Sequence, residues 1–338
     1  MTQHPDIALA VSNLCVSFKT AHGWADVVRG IDLQIRRGET LALVGESGSG
    51  KSMTALALMG LQPSSARSSG RITVGSRSVT GLNERQWNKL RGKHIGMIFQ
   101  NPMSSLNPVL TIGEQLAETI NRHQRIPRTE ANRIAIALLD RMKLPEAALQ
   151  LGRFPHELSG GMRQRVMIAI AIANRPDVLI ADEPTTALDA SVQKDILDLL
   201  DEIRKENGTA IMLITHDLSL VAHRADRVAV MYAGSLVEEQ PADDLIRAAR
   251  HPYAKALIGA RPLRRPRLGP RPRLTDIPGQ VPSPADVASN GCSFAPRCAV
   301  AVGLCTQQRP NLHRFGPDQA ASCHLVSDNP AVPAETAA

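Results

Sequence analysis

Ile31 to Ile35 reads IDLQI, apolar and polar in strict alternation, the pattern of a strand with one buried face. Arg37-Gly38 follows as a turn, and Thr40 to Val44 is then a short apolar strand ending at Gly45. ITV at 72–74 and IGMIF at 95–99 continue in strand-like fashion. From about 103 to 165 the period changes: IGEQLAETI and ANRIAIALLDRM place apolar residues three and four apart, as amphipathic helices do. Farther on, VLIA at 178–181, AIMLIT at 210–215 and VAVMY at 228–232 are short apolar strands alternating with helical stretches. This alternation predicts an α/β fold: a mostly parallel sheet covered by helices and interrupted by a helical insertion.

Past about residue 250 the pattern dissolves. Arg261, Arg264, Arg265, Arg267, Arg271 and Arg273 crowd a proline-rich stretch, prolines recur to 284, and Cys292, Cys298, Cys305 and Cys323 follow. The final dozen residues read as disordered. With 338 residues, 43% hydrophobic and 21% charged, the chain can build one large domain or two unequal ones. A net charge of +7 fits nucleic acid, anionic lipid or a phosphate-bearing ligand, although the arginine stretch reads equally as a solvated linker. Only 3% aromatic residues argue against a surface that stacks unpaired bases. Met1 to Ala10 contains Asp6 and lacks the basic start and apolar block of a secretory signal. The longest apolar run, Val166 to Ala173, is far shorter than the roughly 20 residues that cross a bilayer. A soluble chain is expected, with any membrane role exercised through partners.

Gly45-Glu46-Ser47-Gly48-Ser49-Gly50-Lys51-Ser52 fits G-x-x-x-x-G-K-[ST], directly after a buried strand and before the helical stretch MTALALMGL. Glycines let backbone N–H groups turn inward around phosphate oxygens, and the helix start adds partial positive charge at the same spot. Lys51 can reach β- and γ-phosphates, and the Ser52 hydroxyl can ligate Mg²⁺. Downstream, the strand VLIA ends in Asp182-Glu183. Adjacent strand residues face opposite ways, so Asp182 can support Mg²⁺ while Glu183 polarises an attacking water as general base.

Leu158-Ser159-Gly160-Gly161-Met162, followed by Arg163-Gln164-Arg165, resembles the LSGGQ signature of the ABC ATPase family, with Met162 where the family has Gln. The resemblance spans about residues 7–250. It implies a P-loop NTPase (RecA-like) ABC ATPase core with an inserted α-helical subdomain. In that family the signature grips the γ-phosphate of the ATP on the opposite subunit, so each nucleotide is sandwiched between one phosphate loop and the partner's signature. Further matches are Gln100, sensing Mg²⁺ and attacking water; Ala187-Leu188-Asp189, a loop for communication between subunits; and His216, contacting the γ-phosphate. The aromatic that stacks on adenine falls on Trp24 or Phe18, with Trp24 preferred.

NPMSSLNPVLTIGEQ at 101–115, TTALDASVQKDIL at 185–197, His251-Pro252-Tyr253, Ile277-Pro278-Gly279 and Gly291 to Cys298 are similar to the oligopeptide/dipeptide/nickel importer branch. The branch implies an ATPase pair, identical or mixed, beneath two integral-membrane permease subunits fed by an extracytoplasmic solute-binding protein. It places the chain at the cytoplasmic face of the plasma membrane, importing peptides, nickel, glutathione or a similar solute. Nucleic acid is not an expected partner: there is a single ATPase cassette, no long coiled coil and few aromatics. The expected organisation is an ATPase domain over 1–255 with its helical subdomain at about 101–165. A C-terminal extension at 256–330 and a disordered tail at 331–338 complete it.

The cysteine gaps of five, six and seventeen residues lack the tight C-x₂₋₄-C pair of zinc sites and differ from the bacterial ferredoxin run. Four thiols on a segment too short for its own core leave a metal, a cluster or free thiols open. The branch resemblance favours a [4Fe-4S] cluster on Cys292, Cys298, Cys305 and Cys323, with Zn²⁺ or no metal as alternatives. Cys15, in a strand-like segment, is expected in the core.

Overall fold

The computed structural model describes residues 6–21, 23–186, 188–260, 276–287 and 290–326. The arginine-rich stretch 261–273, Ala187 and the tail 331–338 lie outside the described residues.

The central sheet grows from the apolar runs. Strands β1 (Ile7–Thr20), β2 (Gly23–Arg36), β3 (Thr40–Val44), β4 (Ala66–Val74), β5 (Arg77–Ser78) and β6 (Ile95–Ile98) come first. Then follow β7 (Val178–Asp182), β8 (Ala210–Thr215), β9 (Arg227–Tyr232), β10 (Ser235–Pro241), β11 (His313–Gly316) and β12 (Gln319–Ala321). Among the described residues they form an eight-stranded sheet, order β11-β12-β10-β9-β3-β8-β7-β6, and a four-stranded sheet, order β2-β1-β4-β5. β9, β3, β8, β7 and β6 run parallel. Their continuous apolar runs follow from burial on both faces, and β3, β7 and β8 are buried at every position.

The four-stranded sheet is antiparallel and packs over one face of the central sheet. There the alternation read at 31–35 is realised: Ile31, Leu33 and Ile35 are buried, Asp32 and Gln34 exposed. The opposite face carries the helical part of the chain, built on Ile112–Gln124, Arg128–Arg141 and Gly160–Ile172. Thr111 caps the first of these reciprocally with Glu114. The helical run expected over 103–165 is thus several helices, and the last continues to Ile172. Cys15 lies in β1 as expected, but half-buried instead of in the core.

The segment after residue 276 is not a separate appendage. β12 pairs antiparallel with β10, matching Glu238 with Ala321 and Glu239 with Ala320. Asp318, at the hairpin turn, meets Arg36 and Arg227, the latter at 2.9 Å. Arg227 is buried and also pairs with Glu39 at 2.6 Å and Glu239 at 3.0 Å, so its charge is fully compensated. Ile277 and Phe294 complete a third apolar cluster around Tyr232 and Tyr253. Among the described residues no helix is long and apolar enough to cross a membrane.

Candidate nucleotide site

The loop after β3 closes tightly against its neighbours, and that closeness explains two of its glycines. A Cβ on Gly45 would sit 2.2 Å from the Met231 carbonyl of β9. Gly50, at φ +103°, caps the helix Lys51–Leu58, and a Cβ there would sit 2.6 Å from the Val27 carbonyl of β2. Lys51 is buried, and its Nζ donates to the Gly45 and Glu46 carbonyls at 2.8 and 2.9 Å. Burial lowers the Lys51 pKa; Glu183, Asp182 and Glu46 oppose that shift. Ser52 Oγ donates to Asp182 Oδ1 at 3.2 Å, bringing together two of the three expected Mg²⁺ residues from far apart in the chain; the third, Gln100, bonds Glu183 instead. An oxygen pair of this kind suits a hard cation. Burial raises the Asp182 pKa, with Ser52 opposing and the neighbouring Glu183 adding to the rise.

Glu183 is the first residue past the end of β7, and its carboxylate meets a different set of groups from that of Asp182. Its φ of 46° is left-handed, a strained conformation for a residue with a side chain. The bend is held by its N–H, which donates to the Ile214 carbonyl at 2.9 Å. Three side chains surround its carboxylate. Gln100 Nε2 donates to Oε2 at 3.1 Å, Thr186 Oγ1 donates to Oε2 at 2.9 Å, and His216 Nδ1 lies 3.1 Å from Oε1. Partial burial pushes the Glu183 pKa up, but His216, Thr186 and the charge of Lys51 outweigh it and hold the carboxyl below its ordinary value. Gln100, Glu183 and His216 therefore converge, as expected from three separate stretches of sequence. Thr186 was not singled out from sequence; its place three residues after Glu183 is the only hint.

Ser159 caps the helix Gly160–Ile172, its Oγ accepting from the Met162 N–H at 3.3 Å. Leu158 is buried, Ser159 and Gly160 are exposed, and beyond its chain neighbours and its own helix backbone no heavy atom lies within 4 Å of where a Gly160 Cβ would sit. Among the described residues no hydrogen bond or ion pair joins Leu158–Met162 to the phosphate loop of the same chain. The same helix touches the Glu183 loop instead, through Gln164 Nε2 donating to the Pro184 carbonyl at 2.6 Å. Asp189 caps the helix Ala190–Asn207, accepting from the Ser191 and Val192 N–H groups at 3.0 Å each.

Of the two candidate aromatics, Trp24 on β2 is 45% exposed, with the Arg67 guanidinium 4.1 Å from its ring centroid. Phe18 is partly buried against the core.

The four C-terminal cysteines border one small cavity with room for about 10 Å³, together with His251 and Phe294. Burial raises the Cys292 and Cys323 pKa values, and the neighbouring thiols add to both shifts. The donor chemistry suits a thiophilic metal, yet among the described residues no three His, Cys, Asp or Glu side chains are arranged to hold one. The expected [4Fe-4S] or Zn²⁺ site is therefore not preformed: the sulfurs face a space of about one water molecule.

The chain belongs to the ABC transporter family and carries the C-terminal region of its oligopeptide/dipeptide branch. The family profile "ABC transporter" matches residues 28–186, and "Oligopeptide/dipeptide transporter, C-terminal region" matches 237–305. The oligopeptide transport ATP-binding protein OppD of Escherichia coli is 45% identical over 322 residues, covering 95% of this chain and 94% of its own. OppD of Mycobacterium tuberculosis is 46% identical over 316 residues. This chain spans 51% of that relative's length, about half. Among solved structures, the dimeric ATP-binding cassette MJ0796 in a post-hydrolysis state bound to ADP and Pi superposes with a TM-score of 0.62 at 28% identity. It covers 69% of this chain and 98% of its own.

Proposed function

We propose that this chain hydrolyses ATP to power an ABC importer for peptides or a related small solute. The observation that carries this reading is the strand end Asp182-Glu183: one acid meets Ser52 of the phosphate loop, the other is ringed by Gln100, Thr186 and His216. Lys51 and the loop N–H groups bind the triphosphate, Trp24 stacks on adenine, and Ser52, Asp182 and Gln100 are the residues that would hold Mg²⁺. The cation, when bound, neutralises developing phosphate charge. Glu183 accepts a proton from the attacking water, Gln100 orients that water, and His216 contacts the γ-phosphate. The step is an in-line displacement with no covalent enzyme intermediate.

The open Ser159-Gly160 face supports an assignment of Leu158–Met162 to the ATP of a second ATPase subunit, identical or homologous. Asp189 carries communication across that interface. Closure on ATP and reopening after hydrolysis drive two membrane permeases supplied by an extracytoplasmic binding protein. The chain sits at the cytoplasmic face, held by the permeases. Mg²⁺-dependent phosphate release by the purified chain, and ATP-driven peptide uptake with its permeases in vesicles, test the reading. Hydrolysis stimulated by DNA and indifferent to the permeases would overturn it. A crosslink that never forms between position 51 and the partner's position 159 with nucleotide trapped would overturn the shared-site arrangement.

An iron–sulfur cluster on Cys292, Cys298, Cys305 and Cys323 is a separate part of the proposal; the four residues border one cavity but, among the described residues, are not arranged to hold a metal. Binding would require that space to open, and its role would be that of a staple. Iron and acid-labile sulfide after anaerobic purification test it; a folded protein free of both, with or without zinc, overturns it.

A further inference from the structure

The residue that follows Gly45 in the phosphate loop is an acid, an odd choice beside a bound triphosphate. Glu46 is fixed by every polar group it has. Its N–H donates to the Tyr253 hydroxyl at 2.8 Å, and its carbonyl accepts from Lys51 Nζ at 2.9 Å. Its carboxylate receives a two-pronged bond from Arg297, Nη1 to Oε2 at 2.7 Å and Nη2 to Oε1 at 3.0 Å, across 251 residues of sequence.

Arg297 is itself locked. Nε donates to the Pro278 carbonyl at 2.8 Å, Nη2 to the Ile277 carbonyl at 3.2 Å, and Nη1 reaches the Tyr232 hydroxyl at 3.4 Å. The side chain is 5% exposed, against 28% for Glu46. It projects from a single turn, Ala295–Arg297, between Cys292 and Cys298. Phe294 anchors that turn against Tyr232 and Tyr253, at centroid distances of 5.2 and 5.4 Å. A guanidinium fixed by two carbonyls has no freedom to follow Glu46; Glu46 must come to it.

We propose that Arg297 is a positioning residue for ATP binding: it cancels the charge of Glu46 and turns that carboxylate away from the phosphates. The extension thereby sets the affinity of the phosphate loop. The inference rests on the reading of residues 45–52 as the ATP loop, and it concerns the coupling of two side chains that lie outside the reacting atoms. Without Arg297, an unpaired carboxylate would remain beside the triphosphate, and its repulsion would be read in binding more than in turnover.

The test is a mutant cycle in the full-length chain, reading the dissociation constant of a fluorescent ATP analogue together with KM and kcat for ATP. Arg297→Met is expected to raise both the dissociation constant and KM about tenfold, with kcat changed less than about twofold. In the Glu46→Gln background the same substitution is expected to cost less than about threefold, because no charge is left to repel. Should Arg297→Met fail to fold, Arg297→Gln carries the comparison, since it removes the charge and keeps a polar donor for the Ile277 and Pro278 carbonyls. An equal loss in both backgrounds, or no loss in either, overturns the proposal. A wild-type chain that binds no ATP defeats the nucleotide reading itself, a different outcome from wild-type binding with uncoupled variants.

Discussion

Replacing Glu183 with Gln isolates charge from geometry. The amide can keep each contact of the carboxylate: its oxygen takes the two donors now on Oε2, Gln100 Nε2 at 3.1 Å and Thr186 Oγ1 at 2.9 Å. Its NH₂ then faces His216 Nδ1, at 3.1 Å from the present Oε1, with the ring in the tautomer that leaves Nδ1 free to accept. Stability is therefore expected to change by no more than about 1 kcal/mol. What disappears is the basic oxygen. A general base contributes roughly 10²–10⁴-fold, so phosphate release at saturating Mg²⁺ and ATP should fall at least about 10²-fold, about 2.7 kcal/mol of barrier. Nucleotide binding, measured on the same preparation, should stay near wild type. Phosphate release within about twofold of wild type would remove Glu183 from the role of base and leave it as an anchor for Gln100 and His216.

Trp24→Ala should raise KM for ATP about tenfold and leave affinity for inorganic triphosphate unchanged, as loss of base stacking requires. If Phe18→Ala gives that selective loss instead, the adenine site belongs to Phe18. Gly60→Ala should destabilise the fold by about 1–3 kcal/mol in chemical denaturation. The residue has φ +61°, and a Cβ would lie 2.4 Å from the Trp87 indole. Asp177 is pushed up by burial but more strongly held down by His94 at 2.7 Å and Arg37 at 3.2 Å, which leaves it below its ordinary value. Its contribution is present above the ordinary aspartate pKa of about 3.9 and is lost as pH falls through the lower folded value. Asp177→Asn should thus be less stable than wild type at pH 7, with the gap closing below about pH 4; a gap independent of pH would refute the assignment.

The parallel sheet was legible because each of its strands is buried on both faces, so VLIA, AIMLIT and VAVMY carry their own signal. The nucleotide site was legible for a related reason: its chemistry is concentrated in short runs whose residue types have few other uses together. Signals spread across the chain were harder to read. Thr186 matters only because β7 ends where it does, and Arg297 only because 251 residues of folding bring it to Glu46. The strands β11 and β12 are four and three residues long, too brief to show a period, and their pairing with β10 is decided by the tertiary fold. The cysteines gave a composition signal without a geometry, which is why their spacing left three outcomes open.

That short hairpin closes the side of the sheet that β10 would otherwise leave bare. A chain cut before residue 313 would present β10 as a row of unsatisfied amides and carbonyls, a surface on which another copy could add itself strand by strand. The outermost β11 is short and carries His313 and Arg314 in exposed positions, features that discourage such growth. Removing this end should therefore yield filaments or precipitate, so the hairpin acts as a stopper against self-association whatever the neighbouring cysteines bind.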